Sequence, residues 1–266
     1  MAARIVVVGD VVNDIVVVPR GPIRTDTDTD SRVQPRPGGS AANTAAWAGS
    51  LGAAVDFVGT VGSADADYHT DTLRHAGVVP YVHVEPGMPT GSIVLIVEGQ
   101  RRTMLTDRGA NAALRPELLT DELLDAAGIV HVSGYSITKD HGRGAPTAMI
   151  AHARDRGVPV SVDPASTGYL ADYGVDRFLA EMRGIDLLFP NLDEGARCSP
   201  ARPTPIGSAP RSSSTSRPSC SSAVPTARSS SAGGCRRSPS RHRGSPSSST
   251  PPAPAMPSPR VTSPNG

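Results

Sequence analysis

Residues 1–197 contain no cysteine: all three cysteines of the 266-residue chain, Cys198, Cys220 and Cys235, come later, at spacings that match no metal site. A disulfide framework is excluded for that larger part. No stretch approaches the roughly 18 apolar residues of a membrane helix, and Met1–Val8 lacks the layout of a signal peptide; a cytoplasmic protein without membrane partners is expected. Aromatics make up only 3% of residues, so any core is aliphatic. Lysine is nearly missing, with one residue against 25 arginines, which points to a GC-rich gene.

The absences also divide the chain. Residues 1–197 hold all 25 acidic residues and 17 basic ones, a balance of −8; residues 198–266 hold nine Arg and no acid, a balance of +9. This tail has 20 Ser and 14 Pro but no Leu and no aromatic. Such a segment cannot bury enough apolar area to offset the entropy of ordering it, so it is expected to be disordered. Residues 1–197, rich in Ala, Val, Leu and Gly, can build a core.

Within them, Ile5–Val8 and Val11–Val18 read as strands broken at Gly9-Asp10. An Ala-rich helix is expected over Ala41–Leu51, ending at Gly52. Strands at Val55–Val58, Ile129–Val132, Val158–Val162 and Ile185–Phe189 then alternate with helices at Ala66–His75, Pro116–Ala126, Ala145–Arg156 and Val175–Met182. This alternation predicts a mostly parallel sheet covered on both faces. Extra β pieces near residues 12–36 and 78–106 break the pattern and suggest a small β lid.

Several short segments carry chemistry. In Pro37-Gly38-Gly39-Ser40-Ala41-Ala42-Asn43-Thr44 a Gly pair lets backbone N–H groups approach a ligand. The following helix presents its positive end there, and Asn43 can donate to and accept from hydroxyl groups. The plainer reading is a loop and a helix-surface Asn. Asp14 lies in an apolar run, where an unpaired carboxylate is costly, so a ligand or a cluster of N–H groups must meet it.

Together these segments resemble the ribokinase-type sugar and nucleoside kinases, the PfkB family. The Gly-Gly turn, the Asn four residues on, and Gly52 and Gly62 match its first signature. Gly9-Asp10-Val11-Val12-Asn13-Asp14 looks like its opening strand, and Arg108-Gly109-Ala110-Asn111-Ala112-Ala113-Leu114 like the stretch after its lid hairpin. Asn191-Leu192-Asp193-Glu194 matches its Asn-x-x-Glu motif, although a helix N-cap with acids in the first turn reads the same way.

The resemblance implies a ribokinase-like αβα sandwich with a β lid over residues 1–197, incomplete at its C-terminal end. It implies ATP-dependent phosphorylation of a sugar or nucleoside hydroxymethyl group. Asp14, Gly38, Gly39, Asn43 and Asn111 would hold the substrate, while Asn191 and Glu194 would lie near magnesium. It also raises a homodimer through the lid. Val132-Ser133-Gly134-Tyr135 stands where ribokinases carry a substrate-binding Glu, which argues against ribose.

The family's second signature, a Gly-Ala-Gly-Asp loop that supplies an anion hole and the catalytic base, is absent. No residue after Glu194 takes a catalytic role, so the chain is expected to be inactive. If the codons of Thr250–Ser258 are each begun one base earlier, the triplets permit Asp-Thr-Thr-Gly-Ala-Gly-Asp-Ala-Phe, the missing signature. The same shift lets Cys198–Ala201 read Leu-Leu-Thr-Gly. A frame slip near Arg197 explains both. Two other readings compete: a sugar- or nucleoside-binding remnant without catalysis, and non-specific nucleic-acid binding by the basic tail. Without aromatics to stack on bases, the tail offers no specific nucleic-acid recognition.

Overall fold

The computed structural model describes residues 3–140 and 143–199. Apart from Cys198 and Ser199, the expectations placed on the 198–266 tail lie outside the described residues.

The chain opens with β1 (Arg4–Val8), then forms β2 (Val12–Pro19), β3 (Ser31–Gly38) and α1 (Ser40–Ser50). Next come β4 (Val55–Gly62), α2 (Ala66–His75), β5 (Val78–Glu85), β6 (Gly91–Glu98) and β7 (Arg101–Asp107). After two short 3-10 turns follow α3 (Asp121–Ala126), β8 (Ala127–Ser133), α4 (Gly134–Thr138) and α5 (Ala145–Asp155). The described part ends with β9 (Val160–Asp163), α6 (Thr167–Tyr173), α7 (Val175–Glu181), β10 (Leu187–Leu188) and α8 (Leu192–Cys198).

Six strands form a sheet in the order β10-β9-β8-β1-β4-β5, and every neighbouring pair in it is parallel. Strand period decides where the core goes. Val6 and Val8 of β1 pack on one face with Leu124, Val130, Val132 and Met149. Val7, between them, packs on the other with Ala41, Ala45, Phe57 and Leu73 from the α1–α2 side. Because both faces are covered, β1 after Arg4 reads as an unbroken apolar run. The ribokinase-like α/β fold expected from the sequence is present.

The lid is a four-stranded sheet in the order β3-β2-β6-β7, with β2 and β6 parallel and both outer pairs antiparallel. Val78–Glu85, expected in the lid with residues 78–106, is instead the edge strand of the large sheet, paired with β4 along its whole length. Its alternation suits either location, so only pairing decides. The helix expected over Pro116–Ala126 splits: a 3-10 turn covers Pro116–Leu118, and Thr120 starts α3 afresh by accepting the N–H of Leu123. The segments forming α4 and α6 carried no helix signal in the sequence.

Candidate active site

The strand order reverses at β1: β4 and β5 lie to one side, and β8, β9 and β10 to the other. In parallel sheets this arrangement opens a crevice beyond the carboxyl ends of the strands. Gly9-Asp10 follows β1 there, and Gly134 follows β8.

Asp10 organises the floor. Its carboxylate accepts the N–H of Ser40 at 2.7 Å and that of Ala41 at 3.4 Å. Its backbone carbonyl accepts the N–H of Ala42 at 3.2 Å. The positive end of α1, expected to face a ligand, is therefore closed by the protein's own acid. Gly39 makes this approach feasible: it holds φ 107°, and a Cβ there would overlap the carbonyl of Asp10.

Asp14 sits on β2 with its carboxylate against Gly38. It pairs in register with Ile93, which pairs with Thr106. Register partners share a sheet face, and Ile93 and Thr106 line a cavity of about 30 Å³ between the lid and the crevice. Asp10, Val12, Asp107, Arg108, Asn111, Tyr135, Lys139 and Tyr169 complete its wall. Among the described residues no hydrogen bond or ion pair reaches Asp14. Burial, with a smaller contribution from the charge of Asp10, pushes its carboxyl above the usual range.

Asn111 is buried, and its amide is committed to the backbone. Its Oδ1 accepts the N–H of Val11 at 2.9 Å, and its Nδ2 donates to the carbonyls of Val11 (2.6 Å) and Arg108 (3.1 Å). Both amide hydrogens are thus taken, and the side chain fixes the turn between β1 and β2 while also lining the cavity. Asn43 is exposed and lines a neighbouring cleft between α1 and α2, with Pro37, Gly38, His69 and Thr72. Of the expected substrate residues, Asp14 meets Gly38, beside Gly39, and Gly38 lines the same cleft as Asn43.

Asn191 and Glu194, expected near magnesium, close on each other. Asn191 Oδ1 accepts the N–H of Glu194 at 2.9 Å, and Glu194 Oε2 accepts the N–H of Asn191 at 2.9 Å. Asn191 Nδ2 also donates to Glu194 Oε1 at 2.7 Å. This is a capping box at the start of α8, the alternative the tetrapeptide allowed. With Glu194 only 4% exposed and both its oxygens engaged, the pair does not fit a direct magnesium ligand set. Among the described residues no group of three or more His, Cys, Asp or Glu gathers to hold a metal.

A second polar cluster joins the lid to the large sheet. Asn13 Nδ2 donates to Asp65 at 2.6 Å, Thr90 Oγ1 donates to the other Asp65 oxygen, and Gly62 N–H donates to Thr90 at 2.9 Å. His69 Nε2 lies 3.1 Å from Asn13 Oδ1. Since Asn13 uses its N–H on Asp65, its oxygen is the acceptor and the His69 proton sits on Nε2. Burial lowers the His69 pKa, so the ring is held neutral. Burial also works to raise Asp65, but the bonds from Thr90 and Asn13 and the proximity of His69 outweigh it and bring that carboxyl down.

Sequence reasoning missed Asp10, this cluster, and the cations of the cavity. A signal existed for one of them: Lys139 is the single lysine of the chain.

The pfkB family carbohydrate kinase profile matches residues 2–205. The bifunctional protein HldE of Shewanella amazonensis is 31% identical over 204 residues, covering 72% of this chain and 40% of that protein. The chain thus spans about 40% of the length of this curated relative. Among solved structures, the fructokinase of Halothermothrix orenii superposes with a TM-score of 0.63 at 20% identity, covering 73% of this chain and 70% of that one. The fructokinase of Xylella fastidiosa with bound ATP gives a TM-score of 0.59 at 22% identity, covering 71% and 61%. Matched along its whole described length, the chain belongs to the pfkB family of carbohydrate kinases.

Proposed function

We propose that this chain derives from an ATP-dependent kinase acting on a hydroxymethyl group of a sugar or nucleoside, and that in its present form it binds such a ligand with little or no turnover. The observation that carries the reading is Asp14: a half-buried carboxylate without a partner among the described residues, on the lid face that bounds the cavity. Such a group costs stability in the empty protein and regains it by accepting hydrogen bonds from ligand hydroxyls. Gly38 and Gly39 bring the backbone close beside it. Phosphoryl transfer depends mainly on positioning and charge neutralisation, and Asp14 with the lid supplies the positioning.

What is missing is the Gly-Ala-Gly-Asp loop. Removal of one oxyanion-type donor alone costs about 10²- to 10³-fold in rate, and this loop carries several donors as well as the base. ATP and magnesium enter the proposal through the family, as does a cytoplasmic setting. The frame slip near Arg197 accounts for the loss, since the shifted reading of Thr250–Ser258 permits the signature. A homodimer through the lid belongs to the same proposal: Val33, Met104 and Leu105 on that sheet are 56%, 56% and 58% exposed.

The test is a paired assay. The chain as it stands and a version recoded in the shifted frame after Arg197 are incubated with ATP, magnesium and a panel of sugars and nucleosides. Turnover by the recoded chain alone is expected. Robust turnover by the present chain would overturn the claim of inactivity, and silence of both would remove the kinase reading.

A further inference from the structure

Helices cover the large sheet unevenly. Register carries Val7 of β1 to His131 of β8, then to Ser161 of β9 and Leu187 of β10, so these four share one face. Phe189, two residues beyond Leu187, lies on it too, its ring centroid 6.3 Å from that of His131. Over β1, β4 and β5 this face is covered by α1 and α2, through Ala41, Ala45 and Leu73. Helices α3 to α8 all contribute to the opposite core. Among the described residues no helix therefore covers the β8–β10 half. Leu187 and Phe189 there are 47% and 56% exposed.

Beside this bare floor α1 forms a ridge. Ser40 in its first turn donates to Asp163, at the end of β9, at 3.3 Å, which fixes the side of α1 that looks toward β9. Thr44, Trp47 and Leu51 follow Ser40 at helical spacing on that side. Trp47 and Leu51 are 72% and 82% exposed. A solvated helix face ordinarily carries charge, yet no charged residue occurs from Pro37 to Val55. At about 150–250 Å² for a whole aromatic side chain, Trp47, Leu51, Leu187 and Phe189 together leave on the order of 500 Å² of apolar surface in water. A standard interface takes about 800 Å² from each partner, a little over half of it apolar. The patch on one copy is thus the size that a stable dimer needs.

We infer that the bare half-face is a docking surface for a second copy of this chain. A two-fold axis lays the α1 ridge of one copy against the β8–β10 floor of the other, and the reverse, so each contact is made twice. Such pairing needs a ridge and a floor on one surface, and α1 beside β8–β10 supplies both. The ridge offers a nucleic acid or a charged peptide no counter-charge, which disfavours those partners. This contact is separate from the sugar site and from pairing through the lid, whose exposed Val33, Met104 and Leu105 belong to the other sheet.

Trp47 is the single tryptophan of the chain, so its emission reports on this face. Sedimentation and fluorescence of the full chain test the inference. At micromolar concentrations the particle should have twice the mass of one chain. Trp47 emission should move to shorter wavelength over the same range of concentration. Leu51→Glu and Phe189→Glu change side chains that are exposed in the single copy, so melting temperature should hold. Each should weaken self-association at least about thirtyfold, because the two-fold buries the new charge twice. Leu105→Glu, on the lid, should leave the emission shift unchanged. A monomer at these concentrations would overturn the inference. A dimer that Leu105→Glu abolishes, that both other variants keep, and in which Trp47 emission stays put would assign pairing to the lid alone. Short-wavelength emission already present in the dilute monomer would give the face to another part of the same chain. Association of Leu105→Glu that runs on past two copies would also count against it, since a two-fold contact closes.

Discussion

The carboxylate of Asp14 packs against Gly38, in the space where any other residue at that position would carry its Cβ. The two residues lie on neighbouring antiparallel strands, with Gly38 paired to Val12, two positions before Asp14. The glycine of the Gly-Gly turn thus makes room for an acid as much as for a ligand. An acid so placed is desolvated before any ligand arrives.

Asp14→Asn should stabilise the empty protein at neutral pH. The folded carboxyl titrates above its unfolded value, so its contribution is favourable below the unfolded pKa and is lost as pH rises through the folded one. The Asn variant avoids that loss. Thermal melting at pH 7.5 should show a higher Tm than the parent, and the gap should shrink toward pH 4. Sugar affinity should fall about 10- to 100-fold with loss of the charged acceptor. A lower Tm would contradict the assignment of Asp14 as an unpartnered acid.

Gly39→Ala is expected to cost about 2 kcal/mol or more, from the strain of a side chain at positive φ and its overlap with the Asp10 carbonyl. Urea unfolding measures it. A neutral result would mean that Asp10 and the start of α1 can separate without penalty.

Asn111→Ala distinguishes anchor from ligand contact. It strips the buried Val11 N–H and carbonyl of their partner, which should cost about 2 kcal/mol or more. If stability were unchanged and only sugar binding fell, Asn111 would be a ligand contact after all.

The link between lid and large sheet should be acid-sensitive. His69 is held neutral in the fold, its pKa below the model-compound value of 6.5. A depressed histidine contributes stability above its unfolded pKa that is lost as pH falls through the folded one. Stability from denaturant melts should therefore decline from pH 7.5 to pH 5.5, and His69→Gln should flatten that slope. Asp65, also depressed, adds its own loss only below its unfolded value of 3.8. An identical slope in parent and variant would place the sensitivity elsewhere.

Much of the architecture was legible because strand and helix periods are local. The β-branched runs Ile5–Val8 and Val11–Val18 and the Ala-rich α1 identify themselves without reference to the rest of the chain. Val78–Glu85 did not, since an alternating strand fits either sheet and only its pairing with β4 assigned it. Among site residues, Asp14, Gly38 and Gly39 were marked by their misfit: an acid in an apolar run and a Gly pair before a helix. Asn111 was recognised as unusual, but its partners are backbone groups whose positions follow only from folding, whereas the capping box of Asn191 and Glu194 is local and was one of the two readings the tetrapeptide allowed.

Composition and order along the chain determined the alternation of strands and helices, the extra β pieces of the lid and the basic, acid-free tail, because each depends on residues close together in sequence. Tertiary structure alone decided that Asp10 closes α1, that Asn13, Asp65, Thr90 and His69 meet at the base of the lid, and that Arg108 and Lys139 share one cavity. The hydrogen bonds among them join residues up to 56 positions apart. Their energies come from burial and hydrogen-bond geometry, which exist only once the chain has packed.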